Sequence, residues 1–73
     1  MSASDNLIDV LTHPDANRDE IAAWYAAVIR YQPDADWPAL NRAVLRRYKP
    51  SGLEYIKRKA WAYNAELARA AQS

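Results

Sequence analysis

The sequence has no cysteine and only one histidine and one glycine among its 73 residues. The absence of cysteine excludes disulfides and thiol chemistry. A single histidine cannot form the H-x-x-x-H or H-E-x-x-H spacings that mark helical zinc sites, and a single glycine cannot form a phosphate-binding loop. We therefore expect a protein without enzymatic activity, and without a metal or a cofactor.

Three residues remain as candidates for acid–base chemistry. His13 follows Asp9 by four positions at the end of the first predicted helix, where a histidine interacts favourably with the helix dipole. Asp34 and Asp36 flank a turn before the third predicted helix, where carboxylates commonly serve as turn and cap residues. We interpret all three as structural rather than catalytic.

Long apolar segments and targeting signals are also lacking. The N-terminal stretch MSASDNLIDVL is acidic and has no basic region, so it does not resemble a signal peptide. No apolar run approaches the roughly 20 residues needed to cross a bilayer. These features predict a cytoplasmic protein that does not bind membranes.

The length of the chain predicts a single helical domain over residues 1–73 with a thin core, because a domain of about 60 residues buries only about 60% of its unfolded surface. Three tryptophans and five tyrosines compensate, since each can bury on the order of 150–250 Å². A thin core also gains from association, so a homo-oligomer is compatible with the sequence.

Prolines and capping residues divide the chain into four predicted helices. Their ranges are residues 3–12, 18–31, 37–48 and 52–70. The expected N-caps are Ser2 or Ser4 for the first helix, Asn17 for the second, Asp36 for the third, and Ser51 in a capping box with Glu54 for the fourth.

Apolar residues recur at helical spacing, and no stretch alternates with the period of two that is typical of strands. The predicted inward faces comprise Ile21, Trp24, Val28 and Tyr31 in the second helix, Trp37, Leu40, Val44, Leu45 and Tyr48 in the third, and Leu53, Ile56, Ala60, Tyr63 and Leu67 in the fourth. The sequence thus predicts an all-α fold, a compact bundle of three main helices plus a short N-terminal helix.

Charge is distributed unequally along the chain. Residues 1–36 carry seven acidic and two basic residues, a balance of −5, whereas residues 37–63 carry seven basic and one acidic residue, a balance of +6. This asymmetry indicates an anionic partner for the basic part. The alternative is that the two parts pack together and neutralise each other.

Nucleic acid is one candidate partner, bound through a basic face of the third and fourth helices. The candidate phosphate contacts are Arg42, Arg46, Lys49, Arg58 and Lys59, and Tyr55 is the candidate contact to a base or sugar. A standard helix-turn-helix fits poorly, because Gly52 falls in the first turn of the fourth helix rather than after the third. A looser three-helix DNA binder is the remaining form of this hypothesis.

A protein partner is the alternative. Tryptophan, tyrosine and arginine are enriched at binding hot spots, and the chain is rich in aromatic residues for its size. Trp61 and Tyr55 lie off the centre of the apolar stripe of their helix and are the candidate anchors. A position at the edge of the core is the competing interpretation for Trp61.

Residues 36–61, DWPALNRAVLRRYKPSGLEYIKRKAW, carry a pattern of W-x-x-[LI]-N followed by S-G-L-x-x-I-K and a closing A-W. This pattern resembles small helical proteins of phages and prophages that have no established activity. The resemblance implies a mobile-element origin. We accordingly expect a small binding protein of phage or mobile-element origin that binds nucleic acid or, alternatively, modulates a host protein.

Overall fold

Four helices make up the structure, a computed structural model that describes residues 2–72. They are α1 (Ala3–Leu11), α2 (Arg18–Tyr31), α3 (Trp37–Arg47) and α4 (Pro50–Gln72). The described part of the chain contains no strand. The predicted all-α bundle is therefore confirmed, and the bounds predicted for α2 agree with the structure at both ends.

The first three helices begin at the predicted capping residues. Ser2 and Asp5 form a reciprocal capping box at the start of α1. The Asn17 side chain accepts a hydrogen bond from the Glu20 amide at 2.8 Å, and the Asp36 side chain accepts one from the Ala39 amide at 3.3 Å. Each cap satisfies an amide that has no partner within its helix.

The predicted start of α4 is wrong. The helix begins at Pro50, so Ser51 lies inside the first turn and does not cap it. Proline suits the first position because its fixed φ is already helical and its missing N–H would have no partner there. The Lys49 carbonyl accepts hydrogen bonds from the amides of Gly52 and Leu53 at 2.8 and 3.2 Å.

The helices are arranged so that α2 and α3 each contact both α1 and α4. The Ser4 amide donates to Gln32 Oε1 at 2.7 Å, which places the start of α1 at the end of α2 and makes these helices antiparallel. In contrast, α2 and α4 run parallel, and their contact is the most extensive in the bundle. Tyr55 bonds Asp19 near the start of both helices, and Asn64 bonds Arg30 near the end of α2.

All four helices contribute to one core, in which α2 and α4 approach closely at buried alanines. The buried members are Leu7, Ala16, Ile21, Ala22, Tyr25, Ala26, Val28, Leu40, Val44, Leu53, Ile56 and Ala60. Four residues of the predicted inward faces are partly buried and pack against this core: Trp24, Trp37, Tyr48 and Tyr63. Three others are exposed: Tyr31 is 73% exposed, Leu45 41% and Leu67 50%. Tyr31 is the last residue of α2, and Leu67 lies beyond the level at which α2 ends.

Arg47 joins α3 to the connection between α1 and α2. Its guanidinium donates to four main-chain carbonyls, those of Leu11, His13, Pro14 and Ala16. Its Nε donates to the Tyr48 hydroxyl at 3.1 Å. The Leu11 carbonyl belongs to the end of α1, where carbonyls lack helical partners and the helix dipole favours a cation. One side chain thus fixes the whole connection.

Gly52 lies buried where α4 begins beside the end of α3. A Cβ atom added at this position would stand 2.6 Å from the Cβ of Tyr48, which is closer than side chains tolerate. The absence of a side chain therefore allows the first turn of α4 to pack against Tyr48. Gly52 lies in the first turn of α4, as the sequence predicted.

We predict that Arg47→Lys lowers the free energy of unfolding by about 2–4 kcal/mol, because an ammonium group cannot reach four carbonyls at once. Arg46→Lys, at the exposed neighbouring position, is the matched control and should change stability by less than about 0.5 kcal/mol. Urea unfolding followed by circular dichroism measures both. Equal stability of the two variants would contradict the role of Arg47.

We predict that Gly52→Ala lowers the free energy of unfolding by about 1–3 kcal/mol, since α3 and α4 must move apart to accept the methyl group. Ser51→Ala is the control: at an exposed position inside the first turn it should cost less than about 0.5 kcal/mol, whereas loss of a capping serine costs about 1 kcal/mol. The same unfolding experiment measures both variants. A Gly52→Ala protein as stable as the wild type would refute the close approach.

Candidate functional site

The five basic residues predicted to contact phosphate are all exposed: Arg42, Arg46, Lys49, Arg58 and Lys59. Within residues 2–72 two ion pairs form, His13 with Asp9 at 3.6 Å and Lys57 with Glu54 at 4.0 Å. Both pairs are local in sequence, and neither joins the acidic part of the chain to the basic part. The five side chains consequently face water and have no carboxylate partner in the part of the chain that the structure describes.

Three of these basic residues line two separate depressions. Arg46 lines a shallow depression beside the end of α1, together with Ile8, Leu11 and Thr12. Arg58 and Lys59 line another with Tyr55. Neither depression includes Arg42 or Lys49.

Tyr55 is held by residues at the start of α2. Its hydroxyl donates to Asp19 Oδ1 at 2.7 Å, and the Arg18 guanidinium lies 5.0 Å from the ring centroid. The hydrogen bond to the carboxylate is the main cause that raises the pKa of Tyr55 above its usual value. A cation therefore already covers the ring of the residue predicted to contact a base, and a carboxylate that would repel phosphate lies beside it.

The Trp61 groove is an aromatic depression between α2, α3 and α4, with a volume of about 370 Å³. Its lining residues are Tyr25, Ile29, Pro33, Trp37, Lys57 and Trp61. Trp61 is 65% exposed, so it stands at the edge of the groove and not at the edge of the core. The volume of the groove lies at the low end of the range for ligand-binding clefts, about 300–1,000 Å³, and its lining has the aromatic character common in them.

Internal hydrogen bonds and ring packing fix the floor of the Trp61 groove. The Trp37 indole N–H donates to the Pro33 carbonyl at 2.9 Å, and the Tyr25 hydroxyl donates to Asn41 Oδ1 at 2.8 Å. The Tyr25 and Trp37 rings lie 5.1 Å apart at 49°. Burial is the main cause that raises the pKa of Tyr25 above its usual value. The floor is rigid and its polar groups are satisfied.

The rim of the groove offers hydrogen-bond donors. Lys57 is partly exposed, and its ammonium is 4.0 Å from Glu54 Oε1, a weak pairing that leaves donors available. The Trp61 indole N–H makes no hydrogen bond to any residue from 2 to 72. An aromatic floor with a rim of donors can bind an apolar group flanked by carbonyl or carboxylate oxygens.

Sequence reasoning gave Trp61 as one of two candidate anchors, with a position at the edge of the core as the competing interpretation, and it missed the rest of the groove. Trp37 was assigned to an inward helix face, and its half-buried ring meets the buried ring of Tyr25 only where α2, α3 and α4 come together. One local signal for the groove was available, because Trp37 follows Pro33 by four residues across a turn. At this spacing the indole ring folds back over the connection and donates to the Pro33 carbonyl.

Two other kinds of structural feature are absent from residues 2–72. No cluster of three or more histidine, aspartate or glutamate side chains is arranged to hold a metal ion. Over the same residues, none of the helices combines the length and apolar character needed to span a bilayer.

The chain matches no protein-family model, no curated protein and no solved structure. The resemblance of residues 36–61 to phage and prophage proteins accordingly stays a prediction.

Proposed function

We propose that this protein is a non-enzymatic helical module that binds a protein partner through the Trp61 groove. The observation that carries the proposal is the 65% exposure of Trp61 beside a rigid aromatic floor. Tryptophan contributes most to binding when it is buried by a partner in a preformed pocket. Here the pocket exists, and the indole ring at its edge is still in contact with water.

The chemistry of the groove supports a peptide segment as the ligand. Tyr25, Trp37 and Trp61 provide aromatic surface for an apolar side chain. The Lys57 ammonium, only weakly paired with Glu54, and the Trp61 N–H would donate to carbonyl and carboxylate oxygens of the ligand. The proposed ligand is therefore a segment with an apolar residue close to an acidic one.

The origin of the partner follows from the resemblance to phage proteins. A small protein of a mobile element acts inside the host cell, so we propose a host protein as the partner and the cytoplasm as the place of binding. No cofactor is required for this function.

We predict that Trp61→Ala weakens the binding of peptides selected on the wild-type protein from a random library. The selected sequences should share an apolar residue next to an acidic one, and Trp61→Ala should weaken them at least about tenfold, as expected for a tryptophan hot spot. Tyr31→Ala is the matched control, because Tyr31 is a 73% exposed aromatic residue outside the groove lining.

Fluorescence anisotropy of labelled peptides measures the affinities. Peptides that bind both variants equally would show that the groove is not the binding site. A library that gives no binder sensitive to Trp61 would remove the proposal.

Nucleic-acid binding is the second candidate function, and one observation favours it. Arg42, Arg46, Lys49, Arg58 and Lys59 are exposed and have no carboxylate partner within residues 2–72. In this proposal they contact phosphates, and Tyr55 reaches the nucleic acid only if its bond to Asp19 opens.

We predict for this candidate that binding to a random-sequence DNA duplex weakens steeply with salt. Five phosphate contacts give a slope of about −4.5 in log K against log salt, a loss of about 10²–10³-fold between about 50 and 200 mM. Arg58→Glu should reduce the affinity strongly, while Arg69→Glu, the same charge change elsewhere on α4, should have a smaller effect. Absence of binding near 50 mM salt would exclude this candidate.

A further inference from the structure

The second half of α4 has little of the bundle packed against it. At about 1.5 Å per residue, the 23 residues of α4 span about 35 Å, comparable to the longest dimension of the molecule, 38 Å. α2 has 14 residues and ends near the level of Asn64. No residue from 61 to 72 is buried. A helix that continues past its support leaves a face for another molecule.

The uncovered face is defined by a depression of about 440 Å³ beside α2, which we call the Leu67 face. Its lining residues are Ala23, Arg30, Tyr63, Glu66, Leu67 and Ala70. The four residues from α4 follow the spacing i, i+3, i+4, i+7 and so share one side of the helix. Leu67, at its centre, is 50% exposed.

The Leu67 face carries one charge of each sign. Arg30 is held in place, because it donates to Asn64 Oδ1 at 2.7 Å and its guanidinium lies 5.2 Å from the centroid of the Tyr31 ring. Glu66 lines the same depression, yet the two form no ion pair within residues 2–72. When the same patch of two copies meets, the cation of each copy can pair with the anion of the other.

We propose that a second copy of this chain covers the Leu67 face, with the two α4 helices antiparallel about a two-fold axis that crosses this face at the level of residue 65. With the axis at residue 65, residue 64 of one α4 helix lies opposite residue 66 of the other. Arg30 bonds Asn64 and therefore lies at the level of residue 64. Arg30 of each copy therefore meets Glu66 of its partner, and Leu67 of each meets Tyr63. Every contact occurs twice, as a two-fold interface requires.

The same geometry keeps the dimer interface apart from the Trp61 groove. At about 100° per residue, Trp61 and Tyr63 point to nearly opposite sides of α4. The dimer thus leaves both Trp61 grooves open. The dimer proposal can therefore be tested independently of the proposed peptide binding.

Sedimentation equilibrium over a concentration series tests the proposal. The wild type should show a mass twice the 8.3 kDa of the chain. Arg30→Glu and Glu66→Arg should each weaken the dimer about tenfold or more, because like charges then face each other across the axis. The double variant should regain the dimer, since the opposite charges are exchanged and not lost.

Trp61→Ala is the control and should leave the dimer unchanged. Glu66→Arg leaves both partners of the Arg30–Asn64 hydrogen bond unchanged. Circular dichroism checks that each variant is folded. A wild-type protein that stays monomeric up to about 1 mM would overturn the proposal. A dimer that neither single variant weakens, or that the double variant fails to restore, would also overturn it.

Discussion

The arrangement of the bundle depends on the hydrogen bonds that the planar guanidinium of Arg47 donates to the connection between α1 and α2. Each of its carbonyl partners needs a donor, and water would supply one less rigidly. With this end of α3 fixed against residues 11–16, α1 is held on α2, and Leu7 is fully buried. The other end of α3 carries Trp37, so the position of the groove floor follows from the same anchor.

The two ends of the bundle differ in how completely they are packed. At the end held by Arg47, Gly52 lets α4 start close to Tyr48, and the core is continuous. Towards the other end, α2 stops while α4 continues, and the three most exposed of the large apolar side chains of residues 2–72, Tyr31, Trp61 and Leu67, belong to these two helices. A chain this short has too little apolar surface to cover its longest helix. The surfaces available for partners are a consequence of that shortage.

Local signals were sufficient to predict the fold class and most helix ends. Asn17 and Asp36 cap as expected because a cap depends on neighbouring residues. Pro50 was taken as a separator, although proline is equally suited to the first position of a helix, and this shifted the start of α4. Leu67 continues the apolar stripe of α4 in the sequence. Its burial, however, depends on how far α2 extends beside it, and the periodicity of α4 carries no information about the length of α2.

The candidate site was less predictable because its parts are far apart in the chain. The groove combines residues from positions 25 to 61, and no spacing rule connects them. Arg47 was counted with the basic residues of the second half, since its role depends on carbonyls more than 30 positions away. Tyr55 was predicted to contact nucleic acid, and its bond to Asp19 is likewise a tertiary contact.

Recognition of carbonyls by Arg47 has an evolutionary consequence for residues 12–15. Carbonyls are present whichever amino acids occupy the segment, and these four side chains are exposed. Recognition by Arg47 therefore does not itself restrict the residue types there. An insertion or deletion would instead move the acceptors out of reach of a rigid donor, so the length of this connection is the property that selection must preserve.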